Sequence, residues 1–271
     1  MSETIPRRAR SIRVESVVLR HSEWGEADRF VTLYTLEMGK LRALAKGVRR
    51  PRSRKAGHLE PFNHANLLLA KGREIWLITQ AETINSFSSM LDNLMLTTYA
   101  AYVVELLDRF TYEEGENRAI YRLLVDTLGR LNQLGSYQTS ETRADLVVRY
   151  FEMRLLDYLG FRPQLFQCAN CNTTILAEDQ FFSAEAGGVL CPICGPKAAI
   201  VRPVSVLALK YMRHFQRSSF NEALRASPAI ITSREFESLM QYYLTYLLER
   251  GLNTPAFLRR LRQERAGNEG A

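Results

Sequence analysis

Four cysteines are the residues of this chain whose type and spacing speak most directly of chemistry. They read Cys168-Ala-Asn-Cys171 and Cys191-Pro-Ile-Cys194, and the chain has no others. A Cys-x-x-Cys knuckle aims two sulfurs at one point, so two knuckles supply the full tetrahedral shell of a Zn²⁺ ion. The stretch between the pairs has room for a hairpin. Phe181-Phe182-Ser183 would be one strand and Gly187-Gly188-Val189-Leu190 the turn and return, which makes a zinc ribbon. Four thiolates close the shell and leave no position for a reactive water, so such a metal holds structure and does not catalyse. Two disulfides would suit a small secreted domain, and residues 1–13 lack the apolar stretch of a signal peptide. Thioredoxin-like redox chemistry uses one pair after a strand, and two facing pairs fit it poorly.

The second chemically loaded stretch is basic. Lys46, Arg49, Arg50, Arg52, Arg54 and Lys55 are six cations within ten residues that include no acid. The net charge of the chain is +7, and residues 1–58 hold 14 Lys and Arg against 6 Asp and Glu, so the whole excess lies at this end. A polyanion bound there is the physical implication, and lysine and arginine on a loop can track a phosphate backbone by releasing counterions. Pro51 and Gly47 block regular structure and like charges repel, so the loop is expected to be mobile when free. Trp24 lies in His21-Ser22-Glu23-Trp24-Gly25-Glu26, which reads as a loop and makes it a candidate stacking platform for bases.

These groups need elements to position them. The chain has 271 residues, is 46% hydrophobic and 24% charged, and suits two globular domains. No apolar run approaches the ~20 residues that span a bilayer, and a reduced, cytoplasmic protein is expected. Up to residue 85 the pattern is that of strands: Ile12 to Leu19, Arg29 to Leu36, Leu41 to Ala45, Asn66 to Ala70, and Ile75 to Thr79. Five short strands without a helix predict a small barrel, and five is the number of an OB-fold.

After Phe87 the period becomes helical. Met95, Tyr99, Tyr102, Leu106 and Phe110 mark one face. Asn117 is read as the cap of a second helix that Gly135 follows, and Ser140 with Glu141 as the start of a third that ends at Gly160. After the ribbon, at about 165–200, Pro203 and Ser205 open a helix whose polar face carries Lys210, Arg213, His214 and Arg217. Ser233 is read as the cap of the last long helix, and Arg259, Arg260, Arg262 and Arg265 lie on a tail. The expected fold is therefore α+β, with an OB-fold nucleic-acid-binding domain at 1–85 and an α-helical domain at 86–271 carrying the four-cysteine ribbon. Phosphate-binding P-loops, G-x-G-x-x-G and G-x-S-x-G motifs are missing from the sequence, and no catalytic site is read.

Several runs carry a family resemblance. They are Ser22-Glu23-Trp24-Gly25-Glu26-Ala27-Asp28-Arg29, the basic run from Ala45 to Arg54, Leu59-Glu60-Pro61-Phe62, and the ribbon from Phe182 to Cys191. In these the chain resembles the RecO-type DNA repair proteins, bacterial recombination mediators. The resemblance covers nearly the whole chain. It implies binding of single- and double-stranded DNA and annealing of complementary strands without ATP. It also implies a RecR-type partner, loading of a RecA-type recombinase onto strands coated by single-strand-binding protein, and a grip on the acidic C-terminal tail of that protein. A cytoplasmic, nucleoid-associated location follows from the same resemblance. A reading of another class is a zinc-containing scaffold that docks proteins and carries incidental basic charge. A steep salt dependence of DNA affinity would separate the two.

Overall fold

The computed structural model describes residues 11–113, 115–136, 141–249 and 251–268, with side chains omitted at 141, 142 and 265–268. Five strands, β1 (Ser11–Trp24), β2 (Asp28–Thr35), β3 (Gly39–Ala45), β4 (His64–Lys71) and β5 (Trp76–Asn85), close into a barrel in the order β1-β2-β3-β5-β4. All neighbours are antiparallel except β3 and β5. Alternation fills the interior with Val14, Val18, Val31, Leu33, Leu41, Ala43, Leu67, Leu69 and Ile78. A bulge between Val18 and Arg20 interrupts the β1–β2 register. Around it, Val17 and Leu19 turn outward and join the core of the following helices, together with Tyr34. The expected five-stranded OB-like barrel is therefore present.

The helical part comprises α1 (Ser88–Leu91), α2 (Leu94–Phe110), α3 (Arg118–Ser136), α4 (Glu141–Tyr158), α5 (Val206–Arg217), α6 (Phe220–Ala223), α7 (Ile230–Leu248) and α8 (Thr254–Asn268). Asn93 and Asn117 cap α2 and α3 through their side-chain oxygens, which accept from Leu96 N at 3.2 Å and Ile120 N at 3.1 Å. Between α4 and α5 lies a small sheet of β6 (Gln180–Ser183), β7 (Gly188–Leu190) and β8 (Arg202–Val204), in the order β7-β6-β8.

Several local expectations need correction. Gly135 lies inside α3. A Cβ there would sit 2.2 Å from the carbonyl oxygen of Ser89, so this glycine serves the close crossing of α1 and α3 and does not end the helix. Pro203 sits in β8, an edge strand where a missing N–H is tolerated, and Ser205 alone caps α5 by accepting from Ala208 N at 3.1 Å. Ser233 lies one turn inside α7, and its hydroxyl donates to Asp145 Oδ2 at 2.9 Å. The basic tail is the helix α8. Ser140, the expected cap of α4, and the side chains of Glu141 and Arg265 lie outside the described residues.

Candidate metal centre and nucleic-acid interface

The two cysteine knuckles come together. The four Sγ atoms all lie within 4.8 Å of one another, and Cys171 Sγ stands 3.8 Å from Cys191 Sγ. A ZnS₄ tetrahedron with bonds of ~2.3 Å has S–S edges of about 3.8 Å, so the donor set fits a tetrahedral thiolate-bound ion. Local backbone explains the convergence. In the first knuckle Cys168 N donates to Thr173 O at 2.8 Å and Asn172 N to Cys168 O at 2.9 Å, with Asn172 at φ 60° making the return. In the second, Gly195 N donates to Cys191 O at 2.9 Å.

Strands β6 and β7 hold the knuckles in register. Ala169 N bonds Val189 O at 2.8 Å, tying the first knuckle to β7. Gly188 is required because a Cβ there would stand 2.3 Å from the Gln164 carbonyl oxygen. Polar hydrogens are aimed at the sulfurs, from Cys191 N to Cys168 Sγ and from the Asn170 amide to Cys194 Sγ, both at 3.4 Å. The Thr173 hydroxyl and N–H hold the Cys171 thiol down at about 6, so it offers a thiolate at neutral pH. The expected hairpin of Phe181–Ser183 with Gly188–Leu190 is observed, and β8 is the strand that sequence reasoning missed.

The basic run lies on the connection between β3 and β4. It forms turns and leads into a short 3₁₀ segment, Ala56–Leu59. Two apolar anchors, Val48 and Leu59, are buried in the barrel core. Backbone bonds do the rest, from Arg49 N to Ala27 O and from Ser53 N to Arg50 O, each 2.9 Å.

The six cations differ in what they can still reach. The Lys55 ammonium donates to the carbonyls of Lys46 at 3.1 Å and Ile78 at 2.9 Å, and burial lowers its pKa against the pull of Asp28. Arg49 pairs with Glu23 at 3.2 Å. Lys46, Arg50, Arg52 and Arg54 are exposed and form no ion pair among the described residues.

Trp24 is the last residue of β1, paired with Asp28, and not part of a loop. The β1 pairing with β4 ends at Val17, so from Arg20 to Trp24 this strand pairs with β2 alone, and no apolar alternation marks it. Trp24 is 57% exposed.

Three stretches distant in sequence meet around this β1–β2 turn. Asp28 Oδ1 accepts from Gly47 N at 2.7 Å, Arg49 pairs with Glu23, and Arg29 pairs with Glu60 at 2.9 Å. Other basic residues fare differently. Arg213 donates to the carbonyls of Leu165 and Ile175, at 2.8 and 3.3 Å. Arg262 on α8 joins Asp145 at 3.1 Å and Glu237 at 2.7 Å, so it is a structural cation and not part of a solvated tail.

A closed five-stranded barrel with a cationic loop, joined to a helical domain that holds a four-cysteine cluster, defines an OB-type two-domain protein. Comparison with known proteins makes this specific. Residues 10–87 match the model of the recombination protein O N terminal domain, and residues 91–256 that of the recombination protein O C terminal domain. The chain is 39% identical over 258 residues to the DNA repair protein RecO of Roseiflexus sp. (strain RS-1), covering 94% of this chain and 88% of that one. It is 35% identical to the DNA repair protein RecO of Pelotomaculum thermopropionicum over 96% of this chain and 98% of the relative, and 35% identical to that of Dehalococcoides mccartyi (strain ATCC BAA-2266 / KCTC 15142 / 195) over 88% and 91%. The chain belongs to the recombination protein O family. Among the described residues, no helix is long and apolar enough to cross a membrane.

Proposed function

We propose that this protein is a DNA-binding recombination mediator in DNA repair. It binds single- and double-stranded DNA, anneals complementary strands without ATP, and with a RecR-type partner helps load a RecA-type recombinase onto strands coated by single-strand-binding protein. The observation that carries the reading is the acid-free loop bearing Arg50, Arg52 and Arg54 on an OB-type barrel, in a chain whose relatives are DNA repair proteins. Such a loop suits phosphates. Phosphate contacts position a nucleic acid without reading its sequence, so binding is expected to be nearly sequence-independent. The roles follow from binding alone and ask no hydrolysis of the chain. Annealing assays with labelled complementary strands at increasing salt test this: annealing without nucleotide, falling steeply with salt, supports it, and salt-insensitive or nucleotide-dependent annealing refutes it.

The cysteine cluster takes one Zn²⁺, held by Cys168, Cys171, Cys191 and Cys194. The ion supplies a rigid node for the ribbon.

The protein-docking reading draws on one groove of about 500 Å³, floored by Phe166, Leu176, Val206 and Leu209 with Lys210 and Arg217 at its side. An acidic segment suits such a surface, and the family resemblance implies a grip on the acidic C-terminal tail of single-strand-binding protein. K210E with R217E is expected to lose binding of the tail peptide while DNA binding persists.

A further inference from the structure

The four sulfurs of the cluster are not equivalent. Cys168 and Cys194 are buried, Cys191 is half-buried and Cys171 is exposed. The buried pair is further covered by the Cys191 N–H and the Asn170 amide, each 3.4 Å from its sulfur. The outer pair takes one sulfur from each knuckle, and the two stand 3.8 Å apart. A small solute therefore meets Cys171 first and finds Cys191 behind it. An accessible thiolate with a second thiol within reach is the arrangement that peroxides oxidise to a disulfide.

The first knuckle also builds the groove described above. Phe166 and Leu176 of its floor flank the knuckle in sequence, and Val206 and Leu209 come from α5. Gln167 bridges to Thr174, Ile175 N donates to Phe166 O at 3.0 Å and Cys168 N to Thr173 O at 2.8 Å. Residues 166–176 thus form one narrow loop with the knuckle at its tip. Arg213 of α5 holds the base through Leu165 O and Ile175 O, and Arg217 lies over the Phe166 ring, 3.6 Å from its centre. One wall of the groove is a helix, and the other is a loop whose tip the cluster fixes.

We propose that Cys171 and Cys191 are a peroxide-sensitive pair, and that their oxidation to a disulfide empties the cluster and dismantles the groove at Phe166 and Leu176. The chain then loses its acidic peptide ligand and keeps its DNA. The inference rests on the zinc and docking readings above and adds their regulation. The Cys171 thiolate attacks one oxygen of a hydroperoxide, gives the sulfenic acid and expels hydroxide. The Cys191 thiolate attacks that sulfur and expels a second hydroxide, and two protons from water or buffer turn both into water. The two sulfurs lose the two electrons that the peroxide gains. An S–S bond is ~2.0 Å long, so the sulfurs close up by nearly half their separation and pull the tip of the loop toward the second knuckle. Only Cys168 and Cys194 then remain as thiolates, half of a tetrahedral shell, and the cluster loses its ion.

The full-length, zinc-loaded chain is titrated with hydrogen peroxide. Released zinc is read with a chromophoric chelator. The remaining thiols are alkylated, and mass spectrometry shows which two cysteines escaped. Anisotropy follows the acidic tail peptide of single-strand-binding protein and, separately, oligothymidylate. Zinc is expected to leave with about one equivalent of peroxide consumed, with Cys171 and Cys191 joined. Peptide affinity should fall roughly tenfold or more, because two apolar side chains leave the floor, while oligothymidylate affinity holds. A dithiol with added zinc should restore the peptide. C171H keeps a ligand for the ion and has no thiol, so it should hold zinc, bind the peptide and resist peroxide. Zinc retained under peroxide, a different pair of cysteines joined, or peptide binding unchanged after zinc loss overturns the proposal. A reduced, purified chain without zinc overturns the zinc reading, and the regulation with it. A reduced, zinc-loaded chain that ignores the peptide overturns the docking reading and the regulation of the groove, while the disulfide map still decides whether Cys171 and Cys191 are the sensitive pair.

Discussion

At the scale of single residues, the loop cations divide by their partners. Lys55 is held by two backbone carbonyls and Arg49 by Glu23, whereas Arg50, Arg52 and Arg54 are free of carboxylates among the described residues. Charge composition alone made the six look equivalent. The difference comes from Glu23 of β1 and Ile78 of β5, which the fold brings up beside the loop, and from the carbonyl of Lys46 within it. R50A/R52A/R54A is therefore expected to flatten the log–log salt slope of single-strand binding by about 2, at ~0.7 per lost phosphate contact. R49A should change it less, because that guanidinium is already paired with Glu23. Fluorescence anisotropy between low and moderate salt measures both. An unchanged slope in the triple variant would mean that the loop is a solvated connection.

At the scale of elements, legibility followed environment. Strands β2 to β5 were readable because one face fills a barrel and the other does not, which leaves a period of two. The outer end of β1 and the three-residue β8 were not, because neither buries a face long enough to print one. The helix α8 hid for a related reason. It is rich in arginine, and its start is fixed by a distant group, Glu105, whose carboxylate accepts from Asn253 N and Thr254 N at 2.9 Å. Likewise α7 begins with Ile230 and Ile231, which are exposed and carry no core signal. The convergence of the four cysteines was legible because each Cys-x-x-Cys spacing sets up its own knuckle. Protein purified without added metal is expected to hold about one zinc per chain, read by elemental analysis. C191S should lose it and raise hydrogen exchange in β6, β7 and β8, since a structural ion contributes folding energy, while the barrel keeps its protection. An intact, metal-free ribbon with four titratable thiols would rule the zinc site out.

At the scale of the whole molecule, the barrel and the helices form one packed body. Val17, Leu19 and Tyr34 of the barrel share a core with α2. Beside them Tyr121 of α3 donates to Glu15 at 3.1 Å, and His64 meets the same carboxylate at 2.8 Å. The clearest cross-link is Asp108 of α2, which pairs with Arg20 of β1 at 2.8 Å and Lys40 near the start of β3 at 2.7 Å. Lys40 also donates to Thr111 O at 2.9 Å. Burial alone would raise the Asp108 pKa, but the bonds from Lys40 and Arg20 hold it below its ordinary value of 3.8. A carboxylate depressed in the folded state adds stability above its unfolded pKa and loses it as pH falls through the folded one. The contribution of Asp108 is thus complete at neutral pH and fades only below about pH 4. D108N removes the charge and leaves Lys40 half-satisfied, so at pH 7 it is expected to cost about 2 kcal/mol. Denaturant melts at pH 7 and pH 3 check the sign. The gap between wild type and D108N should narrow in acid, because the unfolded carboxyl there takes up a proton that the native one resists. A gap of equal size at both pH values would show that Asp108 acts through packing, and the charge link between barrel and helices would have to be given up.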